Sequence, residues 1–224
     1  MGINDVYLMA LQKAEENATN GGIKLDRARF VQLFNAEQVR LVRSLLDLRD
    51  NNDIQYIQKL LVNAKKLDKV SDIAQDKSSV FALPEDFFFF SNISGVFKRG
   101  ECEVTDFELE QVKNEDTHKL LADEFNKPDF DYRYTFYTVG NDGIRIFLAD
   151  FSVGELYLTY YRYPRNVDIS GYIHADGTES EDIDPELNDD LVYRILNMVE
   201  KQFALNENDL QRYQFDSNNV NARR

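Results

Sequence analysis

Apolar positions along this chain change their period twice. Near the start, Val6, Leu8, Met9, Leu11 and Ala14 follow Asn4-Asp5. Side chains of that type cap helices, so a first helix is predicted, running out at Asn17-Ala-Thr-Asn-Gly-Gly22. Leu25-Asp26 then leads into Phe30, Leu33, Phe34, Val39, Leu41, Val42, Leu45 and Leu46. Spacings of three and four put these on one helix face. Asp50-Asn-Asn-Asp53 interrupts. Ile54, Ile57, Leu60, Leu61 and Ala64 predict a third helix, whose polar end runs into Ser71–Ser79.

The period then shortens. Val80-Phe-Ala-Leu-Pro84 is an extended run stopped by proline. Phe87-Phe-Phe-Phe90 with Asn92 to Phe97 predicts a strand, and Cys102 to Leu109 alternates with Cys102, Val104 and Phe107 inward. Thr117 to Phe125 predicts a short helix with Leu121 and Phe125 on one face. Tyr132–Val139, Ile144–Leu148 and Glu155–Tyr163 are rich in aromatic and branched residues, hence strands. Gly140-Asn-Asp-Gly143 joins the first two as a tight hairpin.

The helical period returns over Leu187 to Leu205, with Leu191, Ile195, Leu196, Val199 and Phe203 on one side. Asp184 is the expected cap and Pro185 the first helical residue. Asn206-Glu-Asn-Asp209 predicts one more short helix to about Phe215, before a loose tail from Ser217 to Arg224.

These periods predict an α+β fold in which N- and C-terminal helices pack as a bundle around an inserted antiparallel β lobe. The expected parts are a helical segment over 1–79, a β lobe with one short helix over 80–165, and an acidic loop with C-terminal helices over 166–216. A flexible tail over 217–224 completes the chain. A single fused domain is the alternative.

Composition narrows the class. Hydrophobic residues make up 43% of 224, and 16 Phe and 12 Tyr supply large core side chains, enough for a real core. No apolar run is long enough to span a bilayer, and Met1-Gly-Ile-Asn-Asp lacks the basic and apolar regions of a signal peptide. Cys102 is the only cysteine, so no internal disulfide forms. The net charge of −14 is uneven. Residues 1–78 hold 12 Lys and Arg against 11 Asp and Glu, and the remainder holds 14 against 29. That acidity opposes nucleic-acid binding through phosphates and suits a surface past which DNA slides. Simple solubility is the plainer role.

Candidate chemistry is sparse. His118 and His174 lie far apart in sequence, and a solvated loop position is the expectation for His174. Cys102 reads as a buried, inert thiol. No Gly-x-Ser-x-Gly elbow and no phosphate loop occurs. Asp176, Glu179, Glu181, Asp182 and Asp184 crowd one loop, but without the ligand spacing of a calcium hand. No catalytic residue, metal or cofactor is expected. Tyr160, Tyr161 and Tyr163 with Arg162 and Arg165 suggest a stacking platform, against which core on one side and interface on the other is the plainer reading. Arg29, Arg40 and Arg43 make the second helix basic, either as a solvated face or as a docking surface for an acidic partner.

Three stretches in order carry a resemblance: Asp26-Arg-Ala-Arg-Phe30-Val-Gln-Leu-Phe34-Asn35-Ala36-Glu37-Gln38, then Phe81-Ala-Leu83-Pro84-Glu85-Asp86-Phe87, then Leu158-Thr-Tyr-Tyr-Arg162-Tyr-Pro164 with Pro185 to Leu191. This order resembles bacteriophage structural proteins of the head-to-tail adaptor and tail-ring type, including those of podovirus-like and crAss-like phages. The resemblance implies a non-enzymatic virion protein of the neck or tail, assembled in the bacterial host cytoplasm as a ring of about twelve copies beneath the portal. Its expected partners are copies of itself, the portal and other neck or tail proteins. Genome DNA would pass through without specific binding, and no membrane is involved. Expected subunit-interface residues are Arg29, Arg40, Arg43, Asp176, Glu179, Glu181 and Asp182, with Arg223 and Arg224 of the tail ordering against an acidic neighbour. A tail-tip or receptor-binding module is the alternative.

Overall fold

The computed structural model describes residues 1–16, 25–48 and 54–206. In chain order its elements are α1 (Ile3–Glu16), α2 (Arg27–Leu48), a 3-10 helix (Gln55–Leu60), β1 (Leu61–Lys66), β2 (Lys69–Ile73), β3 (Ser78–Phe81), β4 (Phe87–Arg99), β5 (Cys102–Val104) and β6 (Glu108–Gln111). There follow α3 (Thr117–Ala122), β7 (Tyr134–Gly140), β8 (Gly143–Phe147), β9 (Ser152–Arg162) and α4 (Asp189–Asn206). The fold is α+β, with N-terminal α1 and α2 contacting C-terminal α4 and a strand-rich region inserted between them. Two compact units result: residues 61–162, and residues 1–60 together with 163–224.

In the helical unit, Asp26 Oδ1 accepts the Arg29 N–H at 2.8 Å and starts α2. Phe30, Phe34, Val42, Leu45 and Leu46 of α2 are buried, as are Leu191, Ile195, Leu196, Val199 and Phe203 of α4. Gln32, Ala36, Arg40, Arg43 and Asp47 form the exposed stripe of α2. The start of α1 departs from expectation. The helix begins at Ile3, ahead of Asn4-Asp5, and its buried positions are Ile3, Val6 and Ala10 while Leu8 is exposed. Its cap comes from far along the chain: Asp184 Oδ1 accepts the Ile3 N–H at 2.8 Å, and the Met1 amino group pairs with Asp189 at 3.0 Å. Asp184 therefore does not cap the last helix. That helix starts at Asp189, after Pro185, and Asn188 Oδ1 caps it through the Leu191 N–H at 3.0 Å. The final short helix and tail expected beyond it lie outside the described residues.

The inserted unit is two sheets over one core. Strand order is β1-β9-β4-β5 in the first and β2-β3-β8-β7-β6 in the second. All pairs are antiparallel except β6 on β7. Alternation along β9 buries Val153, Leu156, Leu158 and Tyr160. These meet Ile93 and Phe97 of β4, Phe81 of β3, Tyr137 of β7, and Ile144 and Ile146 of β8. At one end Phe97 stacks on Phe107 with centroids 4.2 Å apart, and Phe130 and Phe151 complete an aromatic cluster.

Three local expectations fail here for identifiable reasons. The helix predicted over 54–64 is a 3-10 turn followed by β1, because Leu61 and Val62 pair with Tyr161 and Tyr160 of β9. A short apolar run is ambiguous in period, and the neighbouring strand decides it. Cys102 is exposed, since β5 lies at a sheet edge as a three-residue strand. Phe125 does not share a helix face with Leu121, because α3 ends at Ala122 and Phe125 stands in solvent.

The hairpin between β7 and β8 closes as predicted, with Gly140 paired to Gly143. Gly143 has φ +118°, and a Cβ there would lie 2.0 Å from the Phe81 carbonyl oxygen. Gly143→Ala is expected to destabilise the sheet by more than about 1 kcal/mol, because both the backbone angle and the β3 contact forbid a side chain. Urea unfolding of the variant against wild type measures this.

Candidate functional site

The acidic segment after β9 is tied into the helical unit by many side-chain hydrogen bonds. Asn35 of α2 holds the backbone of Val167 from both sides, accepting its N–H at 2.8 Å and donating to its carbonyl at 3.0 Å. Gln38, one turn on, donates to the Arg165 carbonyl at 3.0 Å. Glu186 accepts the Arg165 N–H at 2.6 Å, and Arg27 donates to the Ser170 carbonyl at 2.6 Å. Residues 165–170 are thus paired much as in a strand: Asp168 exchanges backbone bonds with Ile183 at 3.3 and 3.0 Å, and side chains supply the other partners.

Asp168 is the centre of the segment. It is only 7% exposed, yet its carboxylate accepts four hydrogen bonds. Oδ1 takes the Tyr172 hydroxyl at 2.6 Å and the Ile169 N–H at 2.9 Å. Oδ2 takes the Glu181 N–H at 3.1 Å and lies 2.9 Å from His174 Nε2. Burial works against the charge, but the bonds from Tyr172, the Glu181 and Ile169 amides and His174 outweigh it and hold the carboxyl below the usual range. Burial, with the Asp168 contact, pushes the Tyr172 hydroxyl up to about 12. His174, expected as a solvated loop residue, is a half-exposed loop residue bonded to the buried Asp168 carboxylate.

The other carboxylates mostly serve backbone amides. Asp176 Oδ1 accepts from the Thr178 hydroxyl and N–H at 2.7 and 3.0 Å, turning the chain at Gly177. These bonds hold its carboxyl below the usual range. Asp182 accepts from the Ser170 N–H at 2.8 Å and from Asn4 at 3.0 Å, with the same effect. Glu179 and Glu181 turn their side chains to solvent. Among the described residues no set of three His, Cys, Asp or Glu side chains is gathered to hold a metal ion.

The expected arginines fall in different settings. The Arg29 guanidinium lies 4.9 Å from the centroid of the Phe203 ring and so joins α2 to α4. Arg40 is exposed beside Glu37 at 3.5 Å, and Arg43 is exposed two residues before Leu45. Arg223 and Arg224 lie outside the described residues. Of the suggested tyrosine platform, Tyr160 and Tyr161 are buried and Tyr163 is half-exposed, so the first two cannot stack bases.

A pocket of about 520 Å³ lies between α2 and the acidic segment, lined by Val31, Asn35, Val167, Tyr172, His174 and Ile183 among others. Its imidazole–carboxylate pair is oriented, and no Ser, Thr, Cys or Lys lines the pocket. A second pocket of about 220 Å³, in the inserted unit, gathers His118, Thr138, Asp76, Asp142 and Arg145. Arg145 is already 2.8 Å from Asp142 and 3.8 Å from Asp76, which spends its charge locally.

No family model and no curated protein matches this chain.

Asp168, Asn35 and Gln38 were absent from the sequence-based candidates. The partners of Asn35 and Gln38 lie more than 120 positions away in sequence, whereas those of Asp168 lie within 13 positions in an irregular loop that has no period to reveal them.

The charge distribution also changes in three dimensions. Residues 61–162 hold 12 Lys and Arg against 19 Asp and Glu, and the helical unit holds 14 against 21, so each unit carries −7. The near-neutral first segment and the most acidic segment share one unit.

Proposed function

We propose that this chain is a structural virion protein that forms a ring in the portal-to-tail connector of a tailed phage, joins portal to tail and lines the DNA exit channel. The observation that carries the reading is that residues of the first stretch and of Pro185–Leu191 hold one short segment, Arg165–Val167. Asn35 and Gln38 hold Arg165 and Val167 directly beyond Pro164, and Glu186 closes on Arg165. Asn35, Gln38 and Glu186, all quoted for the likeness, are thus structural joints of the helical unit. The charge of −7 on each unit supports a channel role, since DNA phosphates meet net negative charge on either. The reading needs no catalysis and no cofactor. A tail-tip or receptor-binding module is the second reading, favoured by the two aromatic side chains, Phe125 and Tyr132, that stand in solvent.

Quantitative mass spectrometry of gradient-purified particles tests the proposal. The expected result is about one copy per portal subunit, as matched rings require. A few copies per particle would favour the tail-tip module, and absence from particles would refute both readings.

A further inference from the structure

Phe125 and Tyr132 are the most exposed large apolar side chains among the described residues, at 93% and 86%. Their loop is nevertheless pinned at both ends. Asp123 accepts the Phe125 N–H at 2.9 Å and the Asn126 side-chain amide at 2.6 Å, and its carbonyl takes the Lys127 N–H at 3.1 Å. Asp129 accepts the Asp131 and Tyr132 N–H groups at 2.8 and 3.0 Å, and exchanges backbone bonds with Tyr134. Phe130, between the two exposed rings, is buried in the aromatic cluster under the Arg99 guanidinium, which also grips Asp131. Two rings are therefore held in water on an ordered frame. Aromatic anchors of this kind bind with little further ordering cost and dominate interfaces.

The surroundings say what the rings accept. Residues 101–131 hold eleven Asp and Glu against three Lys, so nucleic acid and anionic lipid are repelled and a basic surface is attracted. The Ala36–Arg43 part of the exposed α2 stripe is such a surface, with Arg43 and with Arg40, which lies 3.5 Å from Glu37. Ala36 is a small flat position beside Arg40 and Arg43, whose guanidinium groups and apolar stems suit the faces of aromatic rings. Arg43 on that stripe and Glu124 on the loop are both exposed, and neither has an ion pair among the described residues.

We propose that the loop Asp123–Arg133 of one copy docks on the α2 stripe Ala36–Arg43 of a second copy, with Phe125 and Tyr132 against the arginines and Glu124 facing Arg43. The two faces differ, so the contact is heterologous and propagates from copy to copy, as a ring demands. The inference rests on the ring reading and names the contact that builds it.

Sedimentation velocity and native mass spectrometry of the purified full chain over a concentration series test this contact. Wild type is expected to self-associate. Phe125→Ser with Tyr132→Ser, and separately Glu124→Arg, should each weaken association by about tenfold or more, as loss of interface anchors does. Arg43→Glu should weaken it as well, and the reversed pair Arg43→Glu with Glu124→Arg should restore it. All four positions are exposed, so thermal unfolding should match wild type and show that the fold is kept. Association that ignores these variants, or a reversed pair that restores nothing, overturns the contact and leaves the ring reading to the particle copy number. Wild type that stays monomeric at every concentration also overturns the contact. A particle copy number far from the portal's refutes the ring reading separately, whatever the purified chain does.

Discussion

Phe97→Ala should cost about 3–5 kcal/mol, the largest effect of any single substitution considered for this protein. Phe97 is fully buried, and its ring stacks on Phe107 at 4.2 Å and meets Phe151 edge-on at 5.9 Å. Truncation removes the transfer free energy of a whole ring and leaves a cavity. The site cannot collapse easily, because Phe107, Phe130 and Phe151 already support one another at 5.2 to 5.8 Å. Phe130 also anchors the loop that carries Phe125 and Tyr132, so the variant should loosen that loop. Urea unfolding followed by circular dichroism should show a lower midpoint, and amides of residues 123–133 should exchange faster. An unchanged midpoint would mean that the cluster contributes little to the sandwich. Phe97→Leu should recover part of the loss by refilling volume.

Asp168→Ala should destabilise the helical unit by about 2–4 kcal/mol, through donors left without an acceptor. Four groups lose their partner together: the Tyr172 hydroxyl, His174, and the amides of Ile169 and Glu181. Tyr172 and His174 are half-exposed and can recruit water. The Ile169 residue is fully buried, so its amide carries much of the cost. The effect has a defined pH dependence. The folded-state pKa of Asp168 is depressed, so its contribution is fully present above the ordinary carboxylate value of about 4. It is lost as pH falls through the lower folded value. Wild type and Asp168→Ala should therefore differ most near neutral pH and converge in acid. Urea midpoints measured in steps from pH 7 downward would show this convergence. A constant difference at all pH values would mean that the carboxylate charge plays no part. Asp168→Asn keeps the shape but turns a donor toward donors, and should fall between the two.

Much of the architecture follows from local pattern. Apolar spacings of three and four in α2 and α4, and the alternation along β9, reflect one buried face each. A residue's side of a helix or strand is fixed by backbone period alone. The Gly140–Gly143 hairpin is equally local, since backbone angles at the turn select those residues. By itself the sequence therefore determined the helix–strand–helix order, the hairpin and the strong negative charge. Tertiary structure decided the rest. It turned the apolar run at 61–66 into an edge strand, because β9 offers a ladder that a short helix cannot match. It sent Asp184 to the first helix and left Asn188 to cap the last, because a carboxylate serves whichever free N–H folding brings within 3 Å. It assembled Asp168 with His174, and Asn35 with Val167, pairs whose worth depends on burial. It also placed Phe125 in solvent and Phe130 in the core, five residues apart in one loop. Period cannot separate such neighbours, because in an irregular segment burial is set by the surfaces that the chain meets.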